Sequence, residues 1–250
     1  KNKKFIDRDK LYELIETMKP SDSKVDEILN KALKLKGLGL EDAAVLLNIK
    51  DENQMKKLLD TAGKVKNEIY GKRLVLFAPL YTGNVCSNNC SYCGFRKDNK
   101  DIKRVVLKMD EIGKEVSALL KEGHKRLLML CGETERNPID YLCEAIRKAY
   151  SVREGNSYIR RINVEIAPME VEDFRKLKAE KIGTYACFQE TYDEVLYKNY
   201  HTEGPKSNYE YRVTVMDRAM EGGIDDVGIG VLFGLADYRF EILAVMEHAR

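Results

Sequence analysis

The sequence predicts an α/β fold: a parallel sheet with crossover helices, curled as a partial (β/α) barrel of five units, behind an N-terminal helical extension. Three observations point there. From Arg73 onward a short β-rich apolar run, a polar loop and an amphipathic helix recur in that order, and this alternation argues for a parallel sheet. Gly123, Gly183 and Gly223 each stand where a helix closes shortly before the next run. Residues 1–72 instead read as helical and charged. No linker or low-complexity stretch interrupts the later repeat, so the expected division is 1–72 and 73–250.

In the extension, Ser21 and Ser23 are N-cap candidates for a helix carrying Val25, Ile28, Leu29, Ala32 and Leu33 at helical spacing. Further helices are expected over 41–47 and 54–70, the second stopped at Gly71. This region is expected to pack as a lid and to carry no chemistry. Strands are expected over 74–80, 127–130, 159–167, 184–189 and 226–233, with helices over 110–122, 138–151, 170–180, 209–221 and 237–248. A complete eight-fold barrel needs more chain than follows Phe233. The expectation is an N-terminal portion of a longer enzyme, or missing units supplied elsewhere.

Composition bounds the function. Of 250 residues, 43 are basic and 41 acidic, a net charge of +2, and 44 % are hydrophobic. That suits a sizeable globular core and gives no electrostatic footprint for nucleic acid. No apolar run reaches membrane-spanning length, and the N-terminus lacks a signal peptide's apolar core. The expected location is the cytoplasm, where six cysteines without a paired framework stay reduced.

Cys86, Cys90 and Cys93 fall at C-x3-C-x2-C spacing directly after the first apolar run. So few residues between thiols let one loop wrap a single inorganic centre, and thiolates select zinc or iron–sulfur. A structural zinc wants four ligands, commonly from two separated C-x2-C pairs, and a fourth thiol has to come from Cys131, Cys143 or Cys187, none in a paired spacing. A disulfide leaves one of three clustered cysteines over. The spacing, with Tyr92 just before the last cysteine, favours a four-iron cluster with one corner lacking a protein ligand.

Chemistry in such barrels gathers at strand C-termini. The second strand ends in Cys131-Gly132-Glu133, where glycine lets a ligand approach and the carboxylate suits an ammonium group. Glu165, flanked by Val164 and Ile166, is costly to bury without a partner and is expected to face the barrel lumen. The fourth strand ends in Gln189-Glu190-Thr191-Tyr192. His201 reads as readily as a capping or packing residue as a catalytic one, and Cys131, Cys143 and Cys187 read as buried inert thiols. Gly228 and Gly230 offer backbone against which a ligand can lie.

The cysteine motif with Pro79-Leu80-Tyr81, Asn84 and Tyr92-Cys93-Gly94-Phe95 resembles the radical S-adenosylmethionine (radical SAM) enzymes, in their aromatic amino-acid lyase branch. Together with His124-Lys125-Arg126, Arg160-Arg161-Ile162-Asn163, Gly183-Thr184-Tyr185, Gly204-Pro205-Lys206 and the stretch from Gly222 to Gly234, it resembles the HydG family of tyrosine lyases, which serve FeFe-hydrogenase maturation. The ThiH family of 2-iminoacetate synthases shares the cysteine motif and Q-E-T-Y and is the alternative. A non-catalytic iron–sulfur scaffold is a reading from a different class.

The resemblance implies a 4Fe-4S cluster on Cys86, Cys90 and Cys93, with the methionine part of SAM on the open iron. It implies cofactor contacts from Tyr92, Gly132, Glu133, Glu165 and Arg212, the last pairing with the SAM carboxylate. Gln189 and Glu190 become the catalytic candidates, toward ribose hydroxyls or the substrate amine. Asp193 stands where the family pattern often continues with histidine. The implied reaction splits SAM to a 5′-deoxyadenosyl radical that takes hydrogen from the amino group of L-tyrosine, giving p-cresol and dehydroglycine. A reductant such as ferredoxin or flavodoxin and other hydrogenase maturation proteins are the implied partners. The family's second cluster, which yields carbon monoxide and cyanide, belongs to a C-terminal domain, so these residues alone are expected to make neither.

Overall fold

The computed structural model describes residues 6–135 and 138–250. In chain order the elements are α1 (Arg8–Thr17), α2 (Asp22–Ala32), α3 (Leu40–Leu47), α4 (Glu52–Tyr70), β1 (Ala78–Gly83), α5 (Met109–Lys121), β2 (Arg126–Cys131), α6 (Ile139–Ser151), β3 (Arg161–Glu165), α7 (Val171–Ala179), β4 (Tyr185–Ala186), α8 (Glu194–Tyr200), a 3₁₀ turn (Pro205–Ser207), α9 (Tyr209–Val213), α10 (Val215–Glu221), β5 (Val227–Gly228) and α11 (Tyr238–His248). They gather into two compact units, a sheet unit of Leu76–Glu190 with Glu194–Gly230, and a helical unit of Lys1–Val75, Thr191–Asp193 and Val231–Arg250. Packing thus groups the last helix with the N-terminal ones, whereas the sequence division places it with the barrel.

In the sheet unit all neighbours pair in parallel in the order β1-β2-β3-β4-β5. Parallel neighbours need crossovers, and the intervening helices supply them. The sheet is open, a partial barrel as expected. Strand period sorts the side chains: Leu127, Met129, Ile162 and Val164 are fully buried in the core shared with Ile112, Val116, Ile146 and Phe174. Removing each such side chain from water is worth roughly 1.5–3 kcal/mol. The alternate positions Leu130 and Glu165, register partners across β2 and β3, face the other way. That second face carries the site.

In the helical unit, Val25, Ile28, Leu29, Val45 and Ile49 form a core of their own. Ser21 caps α2 by accepting from the backbone N–H of Lys24 at 3.3 Å, whereas Ser23 lies inside the helix. Asn48 Nδ2 donates to the carbonyls of both Ile15 and Met18 at 2.7 Å, closing the end of α1. Tyr12 stacks on Phe240 of α11 with ring centroids 4.7 Å apart.

Several expected boundaries move. The run 74–77 is not strand: Leu74, Val75 and Leu76 are 85 %, 63 % and 75 % exposed, and the β1 ladder starts where Ala78 meets Leu127. The expected strands 159–167, 184–189 and 226–233 shrink to β3, β4 and β5 in regular pairing, although Cys187 N–H still donates to Gly228 O and Gln189 N–H to Gly230 O, each at 3.0 Å. The expected helix 209–221 is two helices broken at Thr214. Helix α7 is closed by Lys181, at φ 58°, and not by Gly183. Helix α1 lies in the stretch expected to be helical, though without bounds of its own, and α8 falls where no helix is expected.

Candidate active site

The cysteine loop has little regular structure, so its backbone groups need partners from elsewhere. Ser87 N–H donates to Glu133 O at 2.7 Å, Asn89 N–H to Glu203 O at 3.1 Å, and Ser91 N–H to Tyr200 O at 3.0 Å. One guanidinium does more than any of these: Arg104 donates to the carbonyls of Asn84, Phe95, Arg96 and Asn99, at 2.6–2.9 Å. The thiol of Cys93 accepts from Phe95 N–H at 3.4 Å. Cys86, Cys90 and Cys93 are free thiols, and burial pushes the Cys90 thiol up.

Gly132 at the end of β2 presses on this loop. A Cβ there stands 2.2 Å from the Val85 carbonyl oxygen and 3.1 Å from Cys86 Cβ, so the protein itself makes the first demand on this glycine. The next residue, Glu133, accepts from Asn88 Nδ2 at 2.7 Å. Gly230, by contrast, backs onto protein, since a Cβ there meets the Phe188 ring at 2.8 Å, and Gly228 meets Ala186. Packing therefore also calls for glycine at that pair, beside the ligand contact expected there.

A cavity of about 350 Å³ opens beside the loop. All three cysteines, Tyr92, Gly132, Glu133, Glu165, Glu190 and Arg212 line it, so of the metal, cofactor and catalytic residues that the resemblance implied the structure brings together all but one. Gln189 is the exception: it is 2 % exposed, and its Nε2 has no hydrogen-bond partner among the described residues. Cys131 and Cys187 line the cavity too, while Cys143 sits in a helix and is buried. Lys206 also lines it, and no role for it was read from the sequence. The signal was the Gly204-Pro205-Lys206 turn after the fourth strand.

Charge is dense here. Lys206 Nζ donates to Glu190 Oε1 at 2.6 Å. Arg212 Nη1 stands 4.0 Å from Glu133 Oε2, too far for a hydrogen bond. The Arg212 Nε is spent on Phe188 O at 2.8 Å, yet Nη1 is buried with no hydrogen-bond partner among the described residues. Burial, and then Glu190, raise the Glu165 carboxyl above its ordinary range. His201 is 2 % exposed, and its Nδ1–H donates to Tyr197 O at 2.9 Å, which leaves Nε2 to accept from Tyr92 OH at 2.8 Å. Burial, reinforced by the Lys206 charge, lowers its pKa to about 4, so the ring is neutral and holds Tyr92 in place.

The donor set fits the groups the sequence implied. Three thiols on one loop suit a cluster, although among the described residues no three His, Cys, Asp or Glu side chains converge as a single ion requires. A four-iron cube places its thiolates on separate irons. The unpartnered Arg212 Nη1 beside Glu133 matches the carboxylate and ammonium of an amino acid such as the methionine part of SAM.

Residues 80–249 match the model of the Radical SAM superfamily. A crystal structure of HydG, a maturase of the FeFe-hydrogenase, is 47 % identical with a TM-score of 0.96, over 99 % of this chain and 55 % of that one. HydG from Carboxydothermus hydrogenoformans is 44 % identical with a TM-score of 0.88, over 97 % and 56 %. The 2-iminoacetate synthase of Salmonella typhimurium is 30 % identical over 98 % of this chain and 64 % of its own length. The chain therefore spans between 55 % and 64 % of these relatives.

Proposed function

The chain belongs to the radical SAM superfamily, and from that premise we propose that it acts as a tyrosine lyase, breaking the Cα–Cβ bond of L-tyrosine to p-cresol and dehydroglycine, the latter the source of carbon monoxide and cyanide for H-cluster assembly. Enzymes of this superfamily use a four-iron cluster and S-adenosylmethionine. The observation that carries the specific reading is likeness along nearly the whole chain to two HydG structures at 44–47 % identity, against 30 % for a 2-iminoacetate synthase. The second reading, 2-iminoacetate synthesis, shares the cleavage and differs in what becomes of the fragment.

Bound together, the cluster and SAM supply one-electron chemistry that removes a hydrogen atom from substrate. The protein's part is binding, orientation and exclusion of water. Cys86, Cys90 and Cys93 hold the cluster on a loop already fixed by Arg104. Glu133 and Arg212 clamp the amino-acid part of SAM, with Tyr92, Gly132 and Glu165 as further cofactor contacts. Gln189 and Glu190 serve the ribose or the substrate amine. Ferredoxin or flavodoxin supplies the electron, and other hydrogenase maturation proteins receive the product. No helix among the described residues is long and apolar enough to cross a membrane, and we place the reaction in the cytoplasm.

The test is anaerobic reconstitution with iron and sulfide, then reduction with SAM and L-tyrosine present. Formation of p-cresol together with 5′-deoxyadenosine is expected. Cluster assembly without SAM cleavage identifies a scaffold instead, and SAM cleavage without p-cresol removes tyrosine as substrate.

A further inference from the structure

The cavity holds two pairs of opposite charge on different elements. Arg212 with Glu133 is matched by one amino-acid head, that of SAM. Lys206 with Glu190 repeats the same chemistry, its side chains only 12 % and 16 % exposed. We infer that the Lys206–Glu190 pair is the subsite for the α-amino-acid head of the substrate, Lys206 taking the carboxylate and Glu190 the ammonium. This rests on the lyase reading above only in that the substrate is an α-amino acid.

Stability does not account for the pair. A nearly buried ion pair is often no better than apolar side chains of similar volume, because both charges lose their water. The backbone at Glu190 adds to the cost: with φ at 71° it is one of three described non-glycine residues in the left-handed region. The other two, Leu35 and Lys181, follow helix ends, where that conformation is common. Glu190 lies past the end of a strand, and strain of this kind gathers at ligand-binding positions.

Lys206 is fixed just as firmly. Its backbone N–H donates to Asn88 Oδ1 at 2.8 Å, which ties it to the cysteine loop. Its Nζ lies 5.8 Å from the centroid of the Tyr92 ring, within reach of a cation–π attraction. An ammonium has three donors, and a carboxylate accepts on two oxygens. Only one of each is spent on the 2.6 Å contact among the described residues. A zwitterion laid antiparallel alongside completes a ring of four alternating charges without breaking the pair. An amine or an acid alone leaves one member of the pair unanswered, and that omission is where selectivity arises.

The experiment measures binding of L-tyrosine, tyramine and 3-(4-hydroxyphenyl)propionate to the reconstituted, SAM-loaded protein by equilibrium dialysis. In the unaltered protein tyrosine is expected to bind at least about tenfold more tightly than either analogue, as one charged hydrogen bond implies. Lys206→Met is expected to weaken tyrosine by at least about tenfold while tyramine changes by less than about twofold. Glu190→Gln is expected to weaken tyrosine and spare the propionate. SAM affinity and iron content stay unchanged in both. Where Lys206→Met fails to hold iron, Lys206→Gln is read in the same way. Equal losses for tyrosine and tyramine overturn the assignment, as does a parallel loss of SAM affinity, which gives the pair to SAM instead. If tyrosine does not bind, other α-amino acids are run against their decarboxylated amines. A Lys206-dependent difference then keeps the subsite and removes only the tyrosine reading, and its absence for every amino acid removes the subsite.

Discussion

Two regions of the molecule bury polar groups and treat them in opposite ways. In the helical unit, Asp193 is fully buried and accepts from Arg8 Nε at 2.9 Å and Tyr12 OH at 3.1 Å. Glu241, equally buried, accepts from Tyr192 N–H at 3.0 Å and from the Thr191 hydroxyl. In the sheet unit, Arg212 and Gln189 are nearly as deep, yet Arg212 Nη1 and Gln189 Nε2 have no hydrogen-bond partner among the described residues. An unmet buried donor costs about 1–3 kcal/mol, so the unmet donor of Arg212, which lines the cavity, fits a ligand there, whereas that of Gln189 lies outside the cavity lining. Complete pairing identifies scaffold, and incomplete pairing beside the cysteines identifies the site.

The hardest test of that contrast is at the cysteines. Replacing Cys86, Cys90 and Cys93 together by alanine is expected to abolish bound iron, sulfide and the electron paramagnetic resonance signal of the reduced protein. Full iron and sulfide content in the triple variant removes the assignment. The thiols titrate as metal binds, so reconstitution is also expected to release protons.

How far the sequence foretold this contrast depends on the kind of signal. The cysteine loop was legible because three ligands lie within eight residues. Glu165 was legible from a charge in an apolar strand, and the parallel order from the strand–helix repeat. The run at 74–77 misled because apolar, β-branched composition says nothing of whether a neighbouring strand is there to pair with. Regular pairing in β4 and β5 covers two residues each, with single backbone bonds continuing to Gln189 and Gly230, and no local pattern marks where a ladder thins. The orphaned donor on Arg212 and the capture of Asp193 by Arg8, 185 positions away, depend on tertiary contacts alone. Lys206 lies in the Gly204-Pro205-Lys206 motif, and nothing in the sequence tells a turn lysine that faces a cavity from one that faces solvent.

The second test addresses the paired side. Burial pushes the Glu241 carboxyl up to about 7 from its ordinary 4.5, against the lowering effect of its bonds to Thr191 and Tyr192, with buried Asp193 raising it further. Arg8, bonded to Asp193, is the cation nearest in that chain of contacts. The folded value lies above the unfolded one, so the proton contributes stability fully below pH 4.5, and the contribution is lost as pH rises through 7. The loss is about 3 kcal/mol at most, from a shift of this size. Chemical denaturation at pH 5 and pH 8 is expected to show this decline in the unaltered protein and a much flatter response in Glu241→Gln. Equal slopes in the two proteins mean that Glu241 is not the buried titrating group.

The smallest effect is the most diagnostic, because it reverses the usual consequence of deleting a buried arginine. Removing one partner of a satisfied buried pair normally strands the other and destabilises the fold. Arg212 is different: Nε holds Phe188 O, Nη1 pairs with the Glu133 charge only at 4.0 Å and has no hydrogen-bond partner among the described residues, and Glu133 already has Asn88 as a donor. Arg212→Ala therefore strands one carbonyl in the ligand-free protein, whereas with SAM bound it removes a charge-assisted bond worth about 1.5–3 kcal/mol. SAM affinity is expected to fall at least about tenfold while iron content holds, and Glu133→Gln is expected to weaken SAM in the same direction by removing the charge opposite its ammonium. If both variants bind SAM as the unaltered protein does, the unpartnered guanidinium is not the SAM clamp, and incomplete pairing loses its standing as the mark of the site.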